Sequence, residues 1–356
     1  DKLAEVHRYV RSQKPFVVRI AVALYEAATD TLKTFAHSSE GDNPLPFYDA
    51  PLGGSPSLLE IVARRQPRVV NDTELYGREA HHSNRIRGGG FGSSYTLPIF
   101  RNGEFLGFLF FNAREKDAFD DTSLHFFDLL GHLLALLVID GLATPKALVA
   151  TVRTVTGLAQ QRDFETGAHL ERMAHYSRII ARELAPRYGL SDADVEHIFL
   201  FAPLHDIGKI AIPDDILLKK GKLDAGEFEV MKTHTVKGQE IIADMLNNFH
   251  LDDTAHAAMM GNIALYHHEA MDGNGYPSGC KGEDIPLAAR IVGVADVFDA
   301  LTSRRSYKEA WPVDDAIHFL VANAGSRFDR DCVAALVKHR ADVERIQARF
   351  AENPLG

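Results

Sequence analysis

Apolar and polar positions alternate in two different ways along the chain. Residues 16–24 (FVVRIAVAL) and 93–112 (SSYTLPIFRNGEFLGFLFFN) carry β-branched and aromatic side chains at strand spacing. Asn102-Gly103 between two such runs predicts a type I′ hairpin, because both central residues of that turn need positive φ. Residues 57–65 read as a short helix and 88–92 as a Gly-rich loop. From about Asp121 to Asp140 the pattern takes a helical period. Gly141 is expected to break that helix, and Thr144-Pro145, an N-cap residue followed by proline at the first helical position, to restart it. Leu148, Val152, Val155 and Ala159 then repeat at 3.5 spacing, and helical patterns continue to the C-terminus. Segregated strand-rich and helix-rich regions predict an α+β chain of two domains with a boundary near residue 145. The expected parts are an antiparallel sheet with flanking helices over 1–140, a helical linker over 141–160 and an all-α domain over 148–352. The apolar stripes of the linker helices are expected to be buried on their own domains or across a homodimer.

Length supports two domains: 356 residues exceed one ordinary domain and fall short of three. A composition of 46% hydrophobic and 25% charged residues excludes a disordered or collagen-like chain and a polytopic membrane protein. The most apolar stretch, 129–143, is interrupted by His132 and Asp140, so no membrane span is expected, and no signal peptide is seen. The chain opens on Asp1 rather than Met, which suggests a trimmed fragment and leaves room for an upstream anchor or domain. A net charge of -10 argues against broad binding to duplex nucleic acid, and an anionic substrate would need local cations. Cys280 and Cys332 are the only cysteines, too few for a disulfide framework or a Cys-rich zinc module, so a reducing cytoplasm is the expected compartment. Histidine is abundant instead, with 17 in the chain and nine between His169 and His268.

Those histidines fall among carboxylates. Glu165 and His169 are four apart, on one face of a helix. His205 and Asp206 are adjacent in FAPLHDIGKIAIPDD, where Gly208 and Pro213 mark the end of a helix. His234 follows a helix whose start is signalled by Asp224 with Glu227 three residues on. His267 and His268 precede a Gly-rich turn, and Asp296 lies in ARIVGVADVFDALTS. Singly, each is an ordinary surface, core or capping residue. Adjacent helical residues diverge by about 100°, so the pairs converge only near a helix end or around a broad target such as a cluster of metal ions. Imidazoles and carboxylates without thiolates suit divalent metals such as Fe or Mn and argue against structural zinc. Without metal, the carboxylates would repel one another. Two other motifs are excluded: after His268-Glu269 the zincin pattern lacks its second His, since Asp272 stands there, and no GxxxxGK[ST] loop is present.

The strings HDIGK (205–209) and HHEAMDGNGYP (267–277), followed by IPLAARIVGVADVFDALTSRRSYKEAW and preceded by ETGAHLERM and KTHTVKG, strongly resemble the HD-GYP subgroup of the HD phosphohydrolase superfamily over about 148–345. The resemblance implies an all-helical domain that hydrolyses cyclic dinucleotides, typically cyclic di-GMP, at a centre of two or three divalent metals. It assigns His205 and Asp206 as the name-giving pair, with Asp206 bridging, and His169, His234, His267, His268 and Asp296 as further ligands. Glu165 matches the position that supplies a ligand to a third ion, its alternative being a surface ion pair with Arg162 or His169. A metal-bridging hydroxide attacking in line is the implied mechanism, carried on from the linear dinucleotide pGpG to GMP where the centre is trinuclear. Lys209 is placed to hold a phosphate oxygen or the nucleophile, and Tyr276, Arg305 and Lys308 to bind substrate. Ser306 stands where the family usually has Pro, a departure that bears on the rigidity of that loop. Asp272 and Asn274 are expected to cap the turn rather than bind metal, and His175, His197, His250 and His256 to be ordinary helix residues.

The order helix, strand, strand, helix, loop, hairpin, helix over 1–140 is similar to a GAF sensory domain, and TLPIFRNGEFLGFLFFN to its terminal hairpin. That resemblance implies a small-molecule ligand of unknown identity. No cysteine in 1–140 can attach a bilin, the cyclic-nucleotide pattern is not evident around Asn112 to Phe119, and His81-His82 reads as a solvated loop pair. Two functional classes remain: a sensor-regulated cyclic di-GMP phosphodiesterase, with cyclic GMP-AMP as the alternative substrate, or a catalytically weak receptor or scaffold that binds cyclic dinucleotide.

Overall fold

A computed structural model describes residues 2–41, 48–75, 88–160, 167–248, 255–303 and 309–351. The chain divides into two units, 1–143 and 144–356. The first contains α1 (Lys2–Gln13), β1 (Val17–Glu26), β2 (Thr31–Ser39), β3 (Asp49–Pro51), α2 (Pro56–Arg64), β4 (Arg68–Val70), β5 (Ser93–Arg101), β6 (Glu104–Ala113) and the start of α3 (Asp121–Gln160). The strands form one sheet in the order β3-β2-β1-β6-β5-β4, with every pairing antiparallel. The expected hairpin joins β5 to β6, and φ is 51° at Asn102 and 86° at Gly103, as a type I′ turn requires. β3 and β4 escape a sequence reading because three residues are too short to show a period.

The sheet is covered on both faces, which explains why β6 reads as an unbroken apolar run. Leu109 and Phe111 join Ile20, Val22, Tyr95 and Phe127 in one core, while Phe108 and Phe110 join Leu32, Leu58 and Ile61 in another. Tyr95 lies against Phe127 and donates its hydroxyl to Asp128. Gly131 lets α3 lie close to β5, since a Cβ there would stand 2.9 Å from Leu97 Cδ2. By length and apolar composition alone Asp121–Asp140 is sufficient to cross a membrane, despite His132 and Asp140. One side of that segment is core, with Phe127, Leu134 and Ala135 buried, and the other is a row of exposed leucines at 129, 133, 136 and 137.

The expected break at Gly141 and restart at Pro145 do not occur, because α3 runs continuously from Asp121 to Gln160. Proline inside a helix removes one donor and crowds the carbonyl four residues earlier. Here that carbonyl belongs to Gly141, the residue type with the greatest backbone freedom.

The second unit is helical, with α4 (Gly167–Tyr188), α5 (Asp192–Phe201), α6 (Asp214–Leu217), α7 (Ala225–Lys232), α8 (His234–Asn248), α9 (Ala255–Tyr266), α10 (Leu287–Thr302), α11 (Val313–Ala322), α12 (Arg330–Lys338) and α13 (Arg340–Arg349). α4 is its axis: it is buried over most of its length and packs against α5, α10 and α12. The start of α7 is a capping box as expected, with Glu227 N donating to Asp224 Oδ1 at 2.9 Å and Asp224 N to Glu227 Oε2 at 2.8 Å.

Asp329 ties α12 to α10. It accepts from the backbone N–H groups of Asp331 at 2.7 Å and Cys332 at 3.1 Å, and from Arg290 Nη1 at 2.5 Å. Burial pushes the Asp329 carboxyl up, but the Cys332 N–H and Arg290 prevail and hold it below the usual carboxylate range. Asp329→Ala removes a helix cap and leaves Arg290 buried without its partner, so a loss of about 3 kcal/mol is expected in urea unfolding at pH 7. A carboxyl depressed in the folded state contributes stability above its unfolded value of about 4 and loses it as pH falls through the folded value. The difference between the variant and the parent is therefore expected to shrink below pH 4.

Candidate metal centre

The HD pair sits at a break in helical geometry. Pro203 lacks a donor, α5 stops at Phe201, and the chain continues as two short 3-10 segments, Ala202–Leu204 and Ile207–Ala211. The helix therefore ends earlier than Gly208 and Pro213 suggest. His205 closes the first segment and Asp206 opens the second, which brings two adjacent side chains to one point. Gly208 has a different task. A Cβ on it would lie 1.8 Å from the His234 carbonyl oxygen and 2.4 Å from Gly238 N, so its bare backbone is what lets α8 bring His234 up to Asp206.

Asp206, His234, His267 and His268 each offer a ligand atom within 4.8 Å of the others, and His169, His205 and Asp296 form a second such group. Asp206 lies between them. Its Oδ2 is 3.1 Å from His205 Nε2, while its Oδ1 is 3.2 Å from His234 Nε2 and 3.6 Å from His267 Nε2. Across the second group, Asp296 Oδ1 is 3.7 Å from His169 Nε2 and 3.8 Å from His205 Nε2.

The outward nitrogens fix the tautomers. Nδ1 of His205 is 3.0 Å from the Ala202 carbonyl, Nδ1 of His234 is 2.7 Å from that of Met231, and Nδ1 of His267 is 3.0 Å from that of Ala264. A carbonyl only accepts, so each Nδ1 carries the proton, and in a neutral imidazole Nε2 presents a lone pair. His234 Nε2 and His267 Nε2 then face each other at 3.5 Å, beside the buried Asp206 Oδ1, which accepts no hydrogen bond. Lone pairs and a carboxylate oxygen collected in a buried space fit a divalent cation.

Electrostatics agree with that fit. Burial pushes the Asp206 carboxyl up, but the Lys209 ammonium, with Nζ 2.8 Å from Oδ2, holds it well below the usual range. Burial pushes His267 down, and His268 further down with His267 beside it, so both are neutral and ready to ligate. The Tyr276 ring lies 4.8 Å from that of His268, and burial followed by the Asp206 charge raises its hydroxyl far above neutral pH, where it remains a donor. Asn274 N donates to Asp272 Oδ1 at 2.9 Å, the turn cap expected of that pair. A cavity of 560 Å³ borders His268 and Tyr276, with Phe228, Lys232, Arg290 and Arg327 in its wall.

Two residues that stand behind the second group, Arg172 and Asp299, have no role in the sequence analysis. Asp299 is fully buried and accepts from His169 Nδ1 at 2.8 Å and from Arg172 through both Nε at 2.7 Å and Nη2 at 2.9 Å. Burial pushes the Asp299 carboxyl up, but those donors hold it below the usual range. The available signal was spacing, since Arg172 and Asp299 stand three residues after His169 and Asp296. Glu165, Arg305 and Lys308 lie outside the described residues, as do His81, His82 and His250. His175 and His197 are buried and stack on Phe350 and Phe201 respectively. In the first unit, buried Arg19 donates to Asn112 and Asn112 to Ser94, a polar chain on the sheet that the sequence reading did not single out.

Residues 153–332 match the HD domain family and residues 13–138 the GAF domain family. The chain therefore belongs to the HD-domain family and carries a GAF domain ahead of it. Its motifs and relatives place it with the HD-GYP type. It is 48% identical over 201 residues to the cyclic di-GMP phosphodiesterase response regulator RpfG of Xanthomonas campestris pv. campestris, covering 56% of this chain and 50% of the relative. It is 40% identical over 236 residues to a cyclic di-GMP phosphodiesterase of Vibrio cholerae, covering 63% and 48%. A 3'3'-cGAMP-specific phosphodiesterase 2 of the same organism is 39% identical over 216 residues, covering 61% and 39%. The chain spans about half the length of the curated relatives it matches.

Proposed function

We propose that the chain is a metal-dependent phosphodiesterase that hydrolyses cyclic di-GMP to pGpG and on to GMP, with the GAF domain as its regulatory input. The observation that carries this reading is the pair of His and Asp groups meeting at Asp206, with imidazole Nε2 atoms aimed at one carboxylate. Asp206, His234, His267 and His268 would hold one ion and His169, His205 and Asp296 another, with Glu165 supplying a third. Ions there supply Lewis acidity and a nucleophile at neutral pH. Lys209 neutralises charge beside Asp206 and meets a phosphate oxygen, Tyr276 donates to another, and Arg305 and Lys308 bind the remainder of the substrate. Lys232 and Arg327 around the adjoining cavity provide local cations that a chain of net charge -10 otherwise withholds from a dianion. Cys280 and Cys332 are free thiols, which suits a reducing cytoplasm. A relative named for 3'3'-cGAMP makes that dinucleotide the second substrate reading.

Anaerobic purification with metal analysis, followed by chromatography of the products, tests the reading. Loaded protein is expected to hold at least two ions per chain and to convert cyclic di-GMP through pGpG to GMP. Glu165→Ala is expected to cut the ring and accumulate pGpG. Protein that binds cyclic di-GMP and leaves it uncut is a receptor, which would overturn the proposal.

The leucine row on α3 supports a homodimer. Leu129, Leu133 and Leu136 follow a 4,3 spacing, and Leu129 is 68% exposed. We expect the double variant Leu133→Glu with Leu136→Glu to halve the mass measured by light scattering after gel filtration. An unchanged mass would exclude this face as the contact.

A further inference from the structure

We propose that the Arg172–Asp299 pair is a positioning device for the second metal subsite, acting through His169. The inference rests on the proposed metal-dependent function and extends it to two residues that ligate nothing. Asp299 gives one oxygen to both His169 Nδ1, at 2.8 Å, and Arg172 Nη2, at 2.9 Å, and its other oxygen to Arg172 Nε, at 2.7 Å. A carboxylate only accepts, so His169 must carry its proton on Nδ1 and turn a bare Nε2 toward Asp296. Among the described ligands His205, His234 and His267 have backbone carbonyls behind them, and His169 has a full negative charge. That charge makes Nε2 of His169 the more basic donor.

The pair earns little as a stabilising contact. An ion pair with the carboxylate fully buried gives up the hydration of both groups, and an apolar replacement of similar volume is often as stable. Direction is what it adds. The guanidinium is itself fixed on further sides, with Nη2 2.7 Å from Ser303 Oγ and Nη1 2.9 Å from the Phe350 carbonyl. Ser303 Oγ also donates to Asp299 at 3.0 Å. The ring of contacts thus reaches from Phe350, the residue that follows α13, to Ser303 at the end of α10, and holds one imidazole in one tautomer.

Asp299→Asn separates this role from general support. The amide keeps the shape but not the charge, and it cannot accept at both positions. With its oxygen toward His169 Nδ1, Arg172 Nη2 and Ser303 Oγ, its NH2 opposes the Arg172 Nε donor and the fork that orients the group opens. With its NH2 toward His169, the imidazole proton moves to Nε2, which can no longer ligate. Manganese titration of the full chain, read by stoichiometry and by electron paramagnetic resonance, is the measurement. The parent is expected to take up at least two ions with a spin-coupled signal. Asp299→Asn is expected to keep the ion at Asp206, His234, His267 and His268 but bind the other roughly 10 to 100-fold more weakly, leaving an uncoupled signal. Arg172→Lys, which keeps the charge but not the fork, is expected to weaken the same ion by a smaller factor and serves as the deciding variant if Asp299→Asn does not fold. A coupled signal with parental affinity in the folded variant overturns the inference, as does equal weakening of both ions. A parent chain that takes up fewer than two ions overturns the proposed function instead.

Discussion

Asp206→Ala is expected to eliminate cyclic di-GMP hydrolysis, by a factor on the order of 10³ or more, since it removes at least as much transition-state stabilisation as the loss of a single oxyanion donor. Among the described residues, Asp206 is the side chain whose two oxygens address both groups, Oδ2 toward His205 and Oδ1 toward His234 and His267. Without it the two groups lose the carboxylate that both would offer to metal, and Lys209 loses an ion-pair partner. The effect on folding of the metal-free chain is expected to be smaller than the effect on turnover. Asp206→Ala gives up the Lys209 ion pair that holds the carboxyl below its usual range, but no longer has to bury a carboxylate. Activity and stability should therefore separate, with turnover lost while the thermal midpoint of the metal-free chain falls only modestly. Steady-state turnover and calorimetry on the same sample check this, and retention of a tenth of parental turnover would remove Asp206 from the chemistry.

Gly208→Ala should do the opposite and act on the fold first. A Cβ 1.8 Å from the His234 carbonyl oxygen and 2.4 Å from Gly238 N meets backbone on both counts, so no side-chain rotation can relieve it. Overpacking of this kind costs about 3 kcal/mol or more, and the 3-10 segment or α8 must move apart. Because His234 opens α8, metal binding is expected to fall together with stability. Gly226→Ala is the matched control. Its Cβ would stand 3.4 Å from Asp224 Oδ1, and alanine in a helix gains up to about 1 kcal/mol over glycine, so α7 should be unchanged or firmer. Urea unfolding followed by circular dichroism, with metal content on the same samples, distinguishes the two glycines. Equal midpoints would mean that the close approach of Gly208 to α8 is not what seats His234.

Much of the site was legible because its chemistry demands particular residue types, and such types are rare enough to notice. Five histidines and two aspartates singled out by their neighbours are brought into two adjoining groups. Local rules also carried well where the interaction closes within a few residues: the Asn102-Gly103 hairpin, the Asp224 and Glu227 box, and the Asp272 and Asn274 turn cap. The same local rules misjudged α3. Gly141 and Pro145 each signal a break, yet α3 runs through both; the carbonyl that proline crowds belongs to the residue type with the freest backbone. Gly208 was read as a helix end, although the steric reason for it lies on α8, which the sequence near Gly208 does not mention.

By itself, then, the sequence determined the two-domain order, the hairpin, the donor set and its affinity for hard or borderline cations, because these follow from composition, periodicity and side-chain chemistry. Only the tertiary structure decided which oxygen of Asp206 faces which imidazole, which nitrogen of each imidazole is turned inward, and that Arg172 and Asp299 stand behind His169. Those facts depend on contacts as far as 130 residues apart along the chain, as between His169 and Asp299. An aspartate three residues after a ligand looks in sequence like any other helix residue until packing buries it and a single oxygen comes within hydrogen-bond reach of two donors.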